Sequence, residues 1–399
     1  MPRPAPSAAS TVVVVCVAAL LAGLVALRLL VAAGGDPTGL VAFGEDAPGI
    51  TAHAAEVLGR EVVVRPGLGH DGRFFFVQAE DPWHRQPERY AALLDRPAYR
   101  SQRMLYPLLA GLGGWAPAGW LPWTMTLVNV AALVVLAAGV ASWARRCGAS
   151  PWWGLAVFAD IGILFEVDIA GAGVVALAAA VWGTLALDRR RPGAAAVAFT
   201  LAVLSREVML VWVAGVVLWT WCRRAGGWRA GLRRRLVPAD LAVVAATPVV
   251  VAGAWAVYLR LRLPVGTGAG EVQEIGPPFA GMAAAVGDWL SSPGVAVQIA
   301  SILAVCVLAL VAAVRWPSAP TWAAAGFALL AVLLTHQVWW RPFDIGRAVA
   351  PVPVGLVMGW LWWRAGALTG RVPGPEATGV PGDAQVAAVS GAARPRQRR

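Results

Sequence analysis

The chain is 399 residues long, 58% hydrophobic and only 14% charged, with a mean hydropathy of +0.64, more apolar than the surface of a water-soluble protein of this size can be. Its net charge of +11 comes from 33 basic residues, all arginine, set in short clusters between apolar runs; that pattern orients membrane helices and argues against a nucleic-acid partner. The four cysteines show no CxxC or metal-ligand spacing and indicate no disulfide framework.

Apolar runs recur from Thr11 to Trp363, each near the ~20 residues that cross a bilayer as a helix. The expected fold is therefore all-α, a polytopic membrane bundle of about ten transmembrane helices forming one domain over 1–364. The first run, Thr11 to Ala33, has small residues at Val31 and Ala33 where a signal peptide would be cleaved. It is longer than a usual signal-peptide core and reads better as an uncleaved anchor, and either reading leaves the next segment outside.

Further spans are expected at 119–143, 151–166, 169–187, 193–205, 207–222, 237–260, 294–314, 320–339 and 346–364. Arginines at 145–146, 189–191, 223–235, 315 and 364 fall after every second span, which places both termini in the cytoplasm of a cell-membrane protein by the positive-inside rule. Two span pairs are short and turn at charged tips, Glu166 with Asp168 and Ser205-Arg206-Glu207. Charge at that depth is costly unless it faces a polar cavity, so a recessed aqueous pocket is expected on the outer side.

Between the first two spans lies a long extracytoplasmic loop, 34–103. Turns at Asp36-Pro37, Pro48-Gly49 and Pro66-Gly67 punctuate it into short helices near 51–59, 71–79 and 87–94, with Glu61 to Arg65 extended. A second outer loop is expected at 261–292, with Pro277 to Leu290 lying flat on the membrane. From Ala365 to Arg399 the Gly/Pro/Ala-rich, arginine-ended segment reads as a disordered cytoplasmic tail.

The densest chemistry lies in the first loop: Gly69-His70-Asp71-Gly72-Arg73-Phe74-Phe75-Phe76, then Glu80-Asp81-Pro82, then Asp95-Arg96-Pro97-Ala98-Tyr99-Arg100-Ser101-Gln102-Arg103-Met104-Leu105-Tyr106-Pro107. Sugar transfer with inversion needs a carboxylate to deprotonate the acceptor hydroxyl and cations to hold the departing phosphate. Asp71 supplies the first, and Arg100, Arg103 and Arg206 supply guanidinium forks suited to phosphate oxygens. Arg73, Tyr106, Glu207 and Arg347 complete the candidate substrate-binding set. Asp71 equally reads as the cap of a helix starting at Gly72. Arg206 with Glu207 equally reads as a self-satisfied ion pair, and Glu166 and Asp168 as boundary markers. Glu80 and Asp81 offer a second acidic site or merely a helix stop. His70 and His84 read as surface residues, and the 21 tryptophans chiefly as an interfacial belt.

These loop motifs, with the re-entry at 100–114 and the short paired helices, resemble bacterial multi-pass glycosyltransferases of the GT-C type over about half of the chain. The resemblance implies a polyprenyl-phosphate sugar donor, transfer at the outer membrane face to a glycan, glycolipid or protein acceptor, and Asp71 as the loop acid that acts as base or positions a metal. No tandem-acid pair includes Asp71, so a divalent cation is left open; no other cofactor is expected. The absence of a P-loop and of a soluble α/β pattern that could house a nucleotide agrees with a lipid-borne donor. A transporter or flippase for an anionic lipid or solute, and a non-catalytic membrane scaffold, are the competing readings.

Overall fold

The computed structural model describes residues 8–226, 237–263 and 274–369. Among them the chain is helical, apart from the parallel two-residue strands β1 (Phe43–Gly44) and β2 (Val64–Arg65). Helix α1 spans Ala8–Ala32. The loop region that follows holds α2 (Pro48–Leu58), α3 (Gly72–Glu80), α4 (Pro97–Arg100) and α5 (Leu105–Ala110), with 3-10 turns at Pro87–Arg89 and Ala91–Leu93. Then come α6 (Leu121–Arg146), α7 (Ile161–Asp168), α8 (Gly173–Asp188), α9 (Pro192–Ser205), α10 (Met209–Arg224) and α11 (Ala239–Arg262). The last third holds α12 (Ala280–Leu290), α13 (Pro293–Arg315), α14 (Ala319–Val332), α15 (His336–Trp339), α16 (Pro342–Ala348) and α17 (Pro351–Thr369).

Four stretches are long and apolar enough to cross a membrane, Ala9–Ala32, Ala118–Arg146, Ala239–Arg262 and Pro293–Arg315. A fifth forms if Pro342–Ala348 and Pro351–Ala367, bent by 48°, count as one. Shorter apolar helices, α8, α9 and α14, pack among them: α8 on α6 and α9, α9 on α11, and α14 on α10, α13 and α17. Only 17% of the best window of Ala239–Arg262 is buried within the protein, so its apolar surface is left for lipid.

Three expectations need correction. The segment 151–166 is not one helix: Pro151–Ala159 is a 3-10 stretch, and the chain breaks at Asp160, whose Oδ1 caps α7 by accepting from Ile163 N at 3.2 Å. Residues 365–369, expected to begin the tail, continue α17; the rest of the tail, 370–399, and 264–273 of the second loop lie outside the described residues. Several tryptophans are core rather than belt. Trp143, Trp212 and Trp339 are fully buried, their indole N–H groups donating to Met358 O, Thr184 Oγ1 and Ala331 O, which makes burial of that polar edge tolerable.

Charged side chains gather at both ends of α8 and α10. Arg190, Arg223 and Arg224 meet around one cavity with Asp188 and Asp240, at the C-terminal ends of α8 and α10. The N-terminal ends of the same helices, ~24 Å away at 1.5 Å rise per residue, carry the site described next.

Candidate functional site

Asp71 precedes α3 at a position that only glycine could follow. A Cβ on Gly72 would stand 2.3 Å from Ile169 O and 2.4 Å from Val41 O, so close backbone approach from two other segments pins the start of the helix. The Asp71 side chain makes no capping hydrogen bond, and the cap reading is set aside. Its carboxylate instead accepts from three arginines: Arg100 Nη1 on Oδ1 at 3.1 Å, Arg103 Nη1 on Oδ2 at 3.2 Å and Arg347 Nη1 on Oδ2 at 3.0 Å. The group is nearly enclosed, with the Asp71 side chain 15% exposed and that of Arg103 9%.

Burial alone would raise the Asp71 pKa, but Arg347, Arg100 and Arg103 outweigh it and hold the carboxyl well below the usual carboxylate range. The carboxylate is therefore ionised at neutral pH, and a weak base for as long as all three cations stay on it.

A second layer fixes the arginines. Arg103 forks onto Glu207, Nε to Oε2 and Nη2 to Oε1, both at 3.1 Å, and donates to Tyr99 OH at 3.0 Å; Tyr99 OH in turn donates to Glu274 at 2.9 Å. Arg100 forks onto Asp95 at 2.8 and 2.7 Å and lies 4.3 Å over the Phe74 ring. Arg347 is held by Asp344 at 3.5 Å, and a glycine contact brings its helix in, since a Cβ on Gly162 would stand 2.3 Å from Gly346 O.

Arg206 and Glu207 are adjacent but do not pair with each other. Glu207 takes Arg103, whereas Arg206 bonds Glu166 Oε1 and Arg347 O, each at 3.2 Å, because the break between α9 and α10 turns the two side chains toward different elements. Glu166 is buried and also accepts from Gly173 N at 2.9 Å. Asp168 forks with Arg65 at 2.8 and 2.9 Å. Glu166 thus joins the network through Arg206, whereas Asp168 pairs with Arg65 outside it.

Of the sequence-selected residues, Asp71, Arg100, Arg103, Arg206, Glu207 and Arg347 thus converge. Arg73 and Tyr106 do not join them. Arg73 is buried beside its own ring neighbour, donates to Leu68 O and lies over Phe74 at 4.5 Å. Tyr106 is fully buried, donates to Met125 O and accepts from Asn129, both at 3.0 Å, a structural bond between α5 and α6. His84 is not a surface residue either: it is buried against Tyr90 OH at 2.5 Å, and burial lowers its pKa to about 4. Tyr99 and Glu274 were missed. Tyr99 sits four residues before Arg103, a spacing that could have found it; Glu274 had no local signal.

The donor set does not fit a divalent cation as arranged, because an ion at Asp71 would face three guanidiniums, and among the described residues no three His, Cys, Asp or Glu side chains converge as metal ligands. Beside the cluster is a void of about 10 Å³ reaching Glu166, Arg206 and Arg347, about one water's worth of space. An anion that takes the guanidinium N–H groups now on Asp71 displaces the carboxylate from them.

Comparison with family models, with curated proteins and with solved structures finds no match to this chain.

Proposed function

We propose that the protein is a membrane glycosyltransferase that moves a sugar from a polyprenyl-phosphate donor to an envelope acceptor at the outer membrane face. The observation that supports this reading is a single ionised carboxylate, Asp71, surrounded by Arg100, Arg103 and Arg347, on the side of the helices opposite the arginine-rich ends. In the same reading the short helices complete about ten crossings, both termini are cytoplasmic, and their polar tips form the recessed site.

The chemistry follows from an exchange of partners. A donor phosphate arriving at Arg100 and Arg347 takes guanidinium N–H groups that Asp71 holds in its absence, and the carboxylate, relieved of positive charge, becomes more basic. Asp71 then removes the acceptor hydroxyl proton as that oxygen bonds to the anomeric carbon, while the bond from that carbon to the phosphate oxygen breaks and the electron pair leaves on the phosphate. Arg100, Arg103 and Arg347 hold the charge that develops there.

The test compares envelope glycans and polyprenyl-phosphate sugars by mass spectrometry in cells with the wild-type protein, a deletion, and Asp71→Asn at equal level. The expected result is an acceptor short of one sugar, and accumulated donor, in both altered strains. If the deletion changes the envelope while Asp71→Asn behaves as wild type, Asp71 is not the base, and a transporter or scaffold role replaces this reading.

A further inference from the structure

At the opposite end of α3 from Asp71 there is a second polar cavity. It is a cleft of about 750 Å³, inside the ~300–1,000 Å³ range of small-molecule sites. The nine residues of α3 separate it from Asp71 by ~13 Å along the helix. It is wide, whereas the Asp71 cluster is packed closed.

The lining has a definite character. His53 Nε2 lies 3.0 Å from Glu80 Oε1, both partly exposed, with Glu56 and Asp81 among the same lining and Arg85 and Arg89 also facing the space. Three carboxylates thus meet two arginines and a histidine already bonded to one of the three, leaving no net positive charge to hold a phosphate. The cleft can accept and donate many hydrogen bonds at once. Trp83, also in the lining, is 38% exposed, and its position is fixed: its indole N–H donates to Gly113 O at 3.0 Å, and its own carbonyl accepts from Tyr258 OH at 2.6 Å. A held aromatic face among mixed donors and acceptors suits a ring with apolar C–H faces and hydroxyl edges. Along the chain beside the Gly113, Gly114 and Ala118 wall, Trp115, Trp120 and Trp123 are 89%, 63% and 43% exposed, as residues seated at a membrane interface are.

We infer that this cleft binds a neutral, hydroxyl-rich ring system, the non-reacting part of the sugar-bearing acceptor; the word acceptor rests on the glycosyltransferase reading, the binding does not. The same chemistry is presented by a free glycan and by a glycolipid head group, and the exposed tryptophans allow either to be reached at the membrane surface.

The test uses the full-length protein, purified in detergent and immobilised. Two probes are drawn from the cells that make it: neutral oligosaccharides released from the envelope by mild acid, and intact neutral glycolipids in mixed micelles. Wild type retains at least one; oligosaccharide alone identifies a free glycan, glycolipid alone a lipid-borne one. Trp83→Ala lowers retention about tenfold, as loss of ~1.4 kcal/mol of stacking does, and Glu80→Gln, which keeps the side-chain shape, lowers it severalfold while the protein keeps the helix content of wild type. If Trp83→Ala does not fold, Glu80→Gln and Arg89→Gln decide. Retention of neither probe by wild type, or equal retention by the cleft variants, overturns the inference. The deletion and Asp71→Asn separate the two readings. If the deletion leaves sugar transfer unchanged while the cleft variants lose binding, the transferase reading fails and the cleft stands; if the deletion and Asp71→Asn lose transfer while the cleft variants bind normally, only the cleft inference fails.

Discussion

Arg347 donates to Asp71 at 3.0 Å across 276 residues of sequence, joining the loop after α1 to the short helix before α17. Breaking a buried ion pair from one side costs ~3–5 kcal/mol, because the partner is left charged and unpaired. Asp71→Ala should therefore lower the melting temperature markedly, since three arginines lose one anion together. Arg347→Met should cost less, because Arg100 and Arg103 still neutralise Asp71. The double variant should be more stable than the sum of the single costs by ~1–3 kcal/mol of coupling. Additive melting shifts would mean that the pair does not couple.

A ligand that binds only the folded protein stabilises it by about 2.7 kcal/mol at a hundredfold excess over its Kd. A short-chain polyprenyl phosphate should raise the melting temperature of wild type and do so less for Arg347→Met and Arg100→Met. An unchanged shift in both variants would remove these arginines from donor binding.

Arg103 forks onto Glu207 through two nitrogens while a third contact reaches Asp71. An ammonium cannot reproduce that planar geometry, so Arg103→Lys should retain charge but not function. Transfer activity near wild type in Arg103→Lys would show that charge alone is needed there. Glu207→Gln should loosen Arg103 and lower both thermal stability and activity.

The elements were legible where the signal was local. Pro and Gly punctuation marked the loop helices α2 and α3, and apolar length marked α1, α6, α11 and α13. Apolarity alone could not separate a straight helix from the 3-10 stretch and helix that meet at Asp160. The candidate site was legible as residue types and not as partners, because each pairing joins distant segments. Arg206 and Glu207 look like a pair on paper, yet bond Glu166 and Arg103. Arg73 and Tyr106 were drawn in by lying within the motif, but helical geometry turns them into the core. Trp143 and Trp212 carry the composition of an interfacial belt, and only the carbonyl and hydroxyl that accept their N–H groups reveal them as buried.

Gly72 tests how tightly Asp71 must be placed. A methyl at this position meets two carbonyl oxygens, Ile169 O and Val41 O, which belong to backbone and cannot swing aside. Overpacking of this kind costs ~1–3 kcal/mol. Gly72→Ala should lower the melting temperature, and lower transfer more than stability, because relief of the clash moves Asp71 away from its arginines. Wild-type activity in a destabilised Gly72→Ala protein would show that Asp71 tolerates displacement.

The pH dependence of stability has contributions of opposite sign. Asp71 is held below its ordinary value of 3.8 by Arg347, Arg100 and Arg103 against the effect of burial, so the folded state binds fewer protons than the unfolded state in acid. Its contribution is fully present above 3.8 and is lost as pH falls through the depressed folded value. Near neutrality two histidines act in opposite directions. The Glu80 hydrogen bond raises His53 above its ordinary 6.5 against burial; its contribution is full below 6.5 and is lost as pH rises through the raised value. Burial lowers His84 to about 4, so its contribution is present above 6.5 and declines as pH falls from there toward 4. Melting curves of the detergent-purified protein should separate the three: Asp71→Asn flattens the acid limb, His53→Gln removes the decline above 6.5, and His84→Gln removes the rise between about 4 and 6.5. Identical pH profiles for wild type and His53→Gln would mean that the His53–Glu80 pair does not persist in solution, and the wall it forms in the cleft at the end of α3 would have to be redrawn.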